Sequence, residues 1–264
     1  MLTMLDENLL HNTSIALDQT DKAVGILAET TGSAMKSLFD YNPENEKATM
    51  ILIERTKQYR DQIDNYITRL STRTHDTKEA AFVMLLTNAT TAFSEIGLIC
   101  ESILGFSTEF VDINASDMLL NIYQNEMQVL GLSIFEILEL TIVGYEKKDT
   151  TLSETIQLYQ EEVMRMSEIL KTRHLKRMHG EGGRLTSSTL YADICYTQER
   201  LIDYCDIVAD SLIKYNQAIH KTALPDSART SKAKEHIHKL FEDKYKILHI
   251  GEDQDGHIID LTEQ

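Results

Sequence analysis

The stretch that decides the fold is residues 80–104, AAFVMLLTNATTAFSEIGLICESIL, in which nearly every residue is apolar or small. It contains no proline and one glycine, Gly97. A helix that is apolar on almost all sides has to be covered on almost all sides. The stretch therefore predicts a central helix, around which the other helices of an all-α protein pack.

The rest of the chain has few residues that would interrupt helices. Pro43 and Pro225 are the two prolines in 264 residues, and there are 11 glycines. A proline inside a helix costs about 3 kcal/mol, so such a sequence favours long uninterrupted helices. A β-sandwich or an α/β protein of this length would need many more turn residues.

Apolar residues at helical spacing predict six long helices, a short seventh helix and a polar tail. They are expected at about residues 14–41, 45–73, 77–111, 115–145, 152–178 and 186–221, with the short helix at 227–246 and a loosely ordered tail at 251–264. The intervening loops are short, so consecutive helices should pack as antiparallel neighbours.

The layout repeats after three helices. Both halves have helices of similar length, and each third helix carries acidic or small residues near its middle, at 94–97 and at 199–203. We therefore predict two tandem antiparallel three-helix bundles, residues 1–112 and 113–222. A third segment, 223–264, would hold the C-terminal helix and the tail.

Charge and cysteine content exclude several classes of function. The formal net charge is −16, whereas binding to nucleic acid or to anionic lipid requires a basic surface. The three cysteines, Cys100, Cys195 and Cys205, form no CxxC pair and are expected to be buried thiols in a reducing compartment. We also expect no stretch apolar enough to cross a membrane, and hence a cytoplasmic location.

The sixth helix carries a stripe of carboxylates: Glu199, Asp203, Asp206 and Asp210 follow one another at i, i+4, i+7 and i+11. Like charges at this spacing repel, so they are either solvated or neutralised by a cation or a basic partner. Carboxylate oxygens suit Mg²⁺, Ca²⁺, Mn²⁺ or iron. A solvated face and a cation site both stay open.

Carboxylates on other helices could face this stripe. They are Glu161 on the fifth helix and Asp61 and Asp64 on the second. The GxGxxG, P-loop, GxSxG and HExxH signatures are absent. We therefore predict a regulatory or binding module and not an enzyme; a carboxylate-metal enzyme in a helical bundle is a weaker alternative.

Residues 199–209, ERLIDYCDIVA, resemble the signature of PhoU-type proteins, in which a Glu-Arg-Ile-Gly-Asp core is followed by an Asn-Ile-Ala-like end. PhoU-type proteins consist of two tandem three-helix bundles. Residues 5–10, LDENLL, and 14–19, SIALDQ, resemble the segment that follows the last membrane helix of bacterial sodium/phosphate cotransporters. A PhoU-like domain forms the cytosolic C-terminal region of those transporters. The resemblance covers about residues 5–222.

The resemblance implies a cytoplasmic regulatory domain at the inner face of the membrane. Its partners would be the membrane part of a phosphate transporter or proteins of transport and signalling; a free-standing regulator of phosphate uptake and its sensor kinase is the alternative. Self-association into a homodimer stays open, and neither nucleic acid nor inserted lipid is expected as a partner.

In PhoU-type proteins, Glu-x-x-x-Asp motifs bind clusters of iron, zinc or other cations. Glu199 and Asp203 match the motif of the second repeat, and Asp206 extends it. Asp61 and Asp64 resemble the acidic pair on the middle helix of the first repeat, and Glu161 matches that place in the second. The carboxylates expected on the first repeat's third helix are replaced by serine and leucine, at positions 94 and 98. The resemblance thus implies one divalent-cation or iron site near Glu199 and Asp203, or none, and no other cofactor.

Overall fold

A computed structural model describes residues 2–39, 45–74, 76–112, 118–180, 185–220, 227–252 and 258–260. Nearly all of this part of the chain is helical, which confirms the all-α prediction. After a short 3-10 helix, Glu7–His11, the helices are α1 Thr13–Phe39, α2 Glu46–Ser71, α3 Thr77–Asp112, α4 Met118–Lys147, α5 Thr150–Gly180, α6 Leu185–His220 and α7 Ser227–Ile247.

The helices pack in two groups of three. Helices α1, α2 and α3 contact one another, as do α4, α5 and α6, and the groups meet through α3 against α6 and α1 against α4. The proposed breaks at residues 42–44, 113–114 and 181–183 lie outside the described residues. The domain boundaries at 112 and 222 therefore stay a prediction.

Helix α3 lies at the centre of the molecule, because its apolar residues are covered by α1, α2 and α6. Leu86, Phe93 and Ile96 are completely buried. Along α6, the ring of Phe82 stacks on Tyr215 at 4.9 Å, and Asn88 Nδ2 donates to Ser211 Oγ at 3.0 Å. These pairings run in opposite directions along the two helices, so α3 and α6 are antiparallel.

A polar contact joins α1 to the end of α4. Tyr145 Oη and Lys148 Nζ both donate to Asp21 Oδ1, at 2.6 and 2.7 Å. Lys148 adopts a positive φ of 51°, and its Nζ also donates to the Tyr145 carbonyl. Burial raises the pKa of the Tyr145 hydroxyl, and the Asp21 carboxylate raises it further. Tyr145 therefore remains a hydrogen-bond donor that ties the two groups of helices together.

The tail differs from its prediction. The backbone forms two short strands, β1 Ile250–Glu252 and β2 Ile258–Asp260, which pair antiparallel with Gly251 opposite Ile259. The expectation of a loosely ordered tail is wrong for these residues, because the two strands satisfy each other's backbone hydrogen-bonding groups. The turn at 253–257 and residues 261–264 lie outside the described residues.

The expectation about membrane-spanning stretches is also wrong. Two described stretches, Thr77–Phe106 in α3 and Asn125–Lys147 in α4, are long and apolar enough to cross a bilayer by length and composition. Their apolar windows are 61% and 56% buried inside the bundle. Core helices of globular proteins pass the same test, since a helix covered by protein is as apolar as one covered by lipid.

The close approach of α2 and α3 at Gly97 gives a stability prediction. A Cβ at this position would lie 3.0 Å from Thr56 Cβ, and Thr56 is fully buried with its hydroxyl bonded to the Ile53 carbonyl. We expect Gly97→Ala to lower the free energy of unfolding by about 1–3 kcal/mol, measured by urea denaturation, because the two backbones must separate.

Gly105 on the same helix supplies the control. It is exposed, and a Cβ there meets nothing within 4 Å. Gly105→Ala should therefore stabilise α3 by up to about 1 kcal/mol through helix propensity alone. Equal effects of the two substitutions would contradict the packing at Gly97.

Candidate functional site

The predicted carboxylate stripe lies on α6 where that helix runs antiparallel to α5. Glu199 is 12% exposed at this contact. Its Oε1 accepts a hydrogen bond from Ser167 Oγ at 2.6 Å, and its Oε2 accepts one from Lys171 Nζ at 2.5 Å. The carboxylate of Glu199 is therefore neutralised by a lysine of the neighbouring helix.

The other carboxylates of the stripe are less enclosed. Asp206 Oδ1 accepts a hydrogen bond from Gln157 Nε2 of α5 at 3.2 Å, and Asp210 pairs with Lys214 of its own helix at 2.5 Å. Asp203 lies between Glu199 and Asp206 and is exposed. Partial burial raises the pKa of Asp203, and the carboxylates of Glu199 and Asp206 raise it further. Both carboxylate oxygens of Glu199 therefore accept hydrogen bonds from α5, whereas the surroundings of Asp203 disfavour its ionised form.

The remaining predicted site residues lie elsewhere. Glu161 faces α7, where it pairs with Lys234 at 2.8 Å, and it does not meet the stripe. Asp64 lies on α2 beside Arg60, at 3.5 Å, and partial burial raises its pKa in spite of that cation. Asp61 is exposed on the same helix.

The six candidate residues therefore lie in three places: Glu199, Asp203 and Asp206 on α6, Glu161 on α5, and the pair on α2. Within the described part of the chain, no three His, Cys, Asp or Glu side chains are grouped so as to hold a metal ion. Cation binding at Glu199 and Asp203 stays a prediction.

The three cysteines are buried free thiols, as predicted. Burial raises the pKa of the thiols of Cys100, Cys195 and Cys205 to about 12. Thiols that remain protonated at neutral pH are weak nucleophiles and poor metal ligands. These side chains therefore contribute to the core and not to a reactive site.

Two carboxylates, Glu126 and Glu162, are buried, which the sequence did not predict. Glu126 of α4 accepts from both terminal nitrogens of Arg177, at 3.0 and 2.7 Å, and from Tyr191 Oη at 2.9 Å. Glu162 of α5 accepts from Tyr245 Oη at 2.5 Å and from Arg165. Both carboxylates are at most 4% exposed. The sequence gives no signal of this burial, because Arg177, Tyr191 and Tyr245 come from other helices, although Arg165 is a neighbour of Glu162 on α5.

A cavity of about 1030 Å³ opens between α1, α4, α5 and α7. Apolar side chains of α4 and α5 form much of its wall, including Phe135, Leu140 and Leu152, and Leu240 of α7 adds to it. None of the six predicted site residues lines this cavity. The cavity and the carboxylate stripe are therefore separate features of the molecule.

Comparison with solved structures shows what the fold resembles. The chain is similar to PhoU from Pseudomonas aeruginosa, with a TM-score of 0.66 and 12% sequence identity over 80% of this chain and 99% of that chain. No protein-family model and no curated protein matches the sequence. At this identity the likeness establishes the fold, so the predicted PhoU-like all-α bundle is confirmed.

The contact of Lys171 with Glu199 gives a prediction about cations. A metal ion at Glu199 and Asp203 must displace the Lys171 ammonium, so Lys171→Met should raise the affinity for Mn²⁺. Isothermal titration calorimetry measures this change. Lys214→Met, which frees Asp210 on the same helix, is the matched control and should leave the affinity unchanged. A cation site at Glu199 is excluded if Lys171→Met binds Mn²⁺ no better than wild type.

The raised pKa of Asp203 gives a prediction about pH. Its folded-state pKa lies above the ordinary value of 3.8, so the ionised carboxylate destabilises the fold, and this cost grows as pH rises through that pKa. In metal-free buffer, Asp203→Asn should therefore raise Tm at pH 7, and the gain should vanish below about pH 3.8.

Asp210→Asn is the control for this measurement, because Asp210 has a lysine partner on its own helix. It should give no gain in Tm at pH 7. A lower Tm for Asp203→Asn at pH 7 without metal would show that the ionised carboxylate stabilises the fold, contrary to the expectation.

Proposed function

We propose that this chain is a PhoU-like cytosolic regulatory domain of a sodium-dependent phosphate transporter. The observation that carries the proposal is the PhoU-like fold, which the chain shares with PhoU of P. aeruginosa. The signature-like run at residues 199–209 supports it, since that run lies on α6, the helix that packs along the centre of the bundle.

The N-terminal segment supports the choice of a transporter domain. This segment resembles the sequence that follows the last membrane helix of sodium/phosphate cotransporters, and it is fastened to α2. Leu2 N–H donates to Gln62 Oε1 at 2.9 Å, and Tyr66 Oη donates to the Asp6 carbonyl at 3.0 Å. In the proposed transporter, a membrane part joined here would be held against α2 and could transmit its position to the bundle.

In this proposal the bundle acts by binding and not by catalysis. The carboxylates on α6 are occupied by Lys171, Ser167 and Gln157 of α5, which suits a role in fixing the two helices relative to each other. A cation that competes with Lys171 would change that contact.

A free-standing PhoU-type regulator of phosphate uptake and its sensor kinase is the second candidate. The observation that favours it is the extent of the fold likeness, which spans 99% of the P. aeruginosa PhoU chain. Both candidates predict a response to phosphate supply, and they differ in the transporter that responds.

A carboxylate-metal enzyme is less well supported. Such a site in a helical bundle needs converging carboxylates and histidines, often with a Glu-x-x-His element. Glu235 and His238 of α7 have that spacing, but their side chains diverge: Glu235 pairs with Lys239 at 3.0 Å, and His238 Nδ1 lies 3.5 Å from Glu162. The two residues therefore do not share a ligand position.

Phosphate uptake in the native organism tests the proposal. We expect deletion of the coding region for residues 1–264 to abolish the difference in sodium-dependent [³²P]phosphate uptake between phosphate-starved and phosphate-replete cells. Wild-type sequence and the Gly105→Ala variant, restored at the same locus, should both recover the difference. A change confined to sodium-independent uptake would favour the free-standing regulator, and no change in either kind of uptake would contradict both.

A further inference from the structure

Helix α7 differs in charge from the rest of the molecule. Its sequence, SARTSKAKEHIHKLFEDKYKI, contains six lysines or arginines and three acidic residues, whereas the whole chain has a net charge of −16. Six residues separate it from α6 in the sequence. It is therefore a basic helix tethered to an acidic bundle.

One face of α7 is apolar and covers α5. Ile237, Phe241, Tyr245 and Leu248 follow at helical spacing, and each is at most 5% exposed. The Phe241 ring meets Tyr159 of α5 edge to face at 4.7 Å between centroids. Amphipathic helices bind hydrophobic grooves of other proteins through apolar side chains at this spacing.

Beside these apolar contacts, lysines of α7 pair with glutamates of α5 and α4. Lys234 pairs with Glu161 at 2.8 Å, and Lys244 pairs with Glu136 of α4 while its Nζ lies 2.9 Å from Tyr159 Oη. Beneath the helix, Tyr245 Oη donates to the buried carboxylate of Glu162. The surface under α7 is thus apolar, with Glu161 and Glu136 at its edges and Glu162 beneath it, and Arg165 of α5 partly neutralises Glu161 and Glu162. We call this surface, centred on Tyr159 and Glu162 of α5, the α7 seat.

A buried arginine closes one end of the α7 seat. Arg173 of α5 is 7% exposed, and it donates to the carbonyl oxygens of Leu248 and His249 at 2.5 and 2.9 Å. These carbonyls lie at the C-terminal end of α7, where the helix dipole favours a cation. The α7 seat therefore fixes the direction of the helix as well as its face.

We propose that the α7 seat is a docking surface for a basic amphipathic helix of a partner protein, and that α7 is its resident occupant. A partner helix with apolar residues at the spacing of Ile237, Phe241 and Tyr245, flanked by lysines, would make the same contacts. Such a partner has to displace α7. Because α7 is tethered to the bundle, it competes with the partner and lowers the partner's apparent affinity. This proposal does not depend on a role in phosphate transport.

The ion pairs around α7 oppose its replacement by a partner helix only weakly. Lys234 and Glu161 are each about half exposed, and Glu136 is 44% exposed, so these pairs contribute little to stability and weaken as salt rises. The hydrogen bond from Tyr245 to Glu162 is the contact most specific to the docked state. Removing its hydroxyl should make the release of α7 more frequent and leave helices α1 to α6 in place.

Hydrogen exchange of the full chain tests the release of α7. The backbone amides of residues 237–248 should exchange faster than those of α3 in wild type, and Tyr245→Phe should speed them about tenfold or more, since hydrogen bonds to charged groups are among the stronger ones. Tyr66→Phe, which removes a hydroxyl bonded to the Asp6 carbonyl on α2, is the matched control. If the amides of residues 237–248 exchange at the rate of those of α3 in wild type and also in Tyr245→Phe, the proposal is overturned.

Binding in trans tests the docking surface itself. A fluorescent peptide of residues 232–250 is added to the full chain, and its anisotropy is followed in low and high salt. We expect binding that strengthens about tenfold in the Tyr245→Phe protein, where α7 is released more often, and that weakens in high salt. The same peptide with Lys234→Glu and Lys244→Glu should bind more weakly, because each new carboxylate faces a glutamate of the α7 seat. Equal binding of the two peptides, or no binding to either protein, would overturn the proposal.

Discussion

The antiparallel packing of α3 along α6 holds the two groups of helices together, and most other features depend on it. Because α3 is apolar on nearly all sides, it needs cover from α1, α2 and also α6. Helix α6 is thereby fixed on one side by α3, which leaves another side for α5. That remaining side carries Glu199 and Asp206, which contact α5, whereas Asp203 between them is exposed.

Charge compensation between neighbouring helices recurs across the molecule. Lys171 neutralises Glu199 between α5 and α6, Lys148 neutralises Asp21 between α4 and α1, and Lys234 pairs with Glu161 between α7 and α5. In a chain with so large an excess of acidic residues, these three lysines lie where two elements meet. A competing cation or a basic helix would therefore act at the same contacts that position the helices.

The sequence resemblance and the fold likeness both point to a PhoU-like bundle. The resemblance extends to about residue 222, and the likeness to P. aeruginosa PhoU leaves a fifth of this chain unmatched. Helix α7 and the strands that follow lie beyond the resemblance, yet α7 covers the buried carboxylate of Glu162. This C-terminal segment lies outside the sequence resemblance, and its contacts with α5 come from the structure alone.

The sequence by itself determined the all-α class, the number of long helices and the central place of α3, because apolar periodicity and scarce prolines act locally along the chain. It also placed four carboxylates on one stripe of α6. Only the tertiary structure decided what each carboxylate meets: Lys171 for Glu199, and α7 for Glu161. Those partners lie tens of residues away, and helix packing, which no local pattern encodes, selects them. For the same reason the buried Glu162 and the paired strands of the tail were not foreseen.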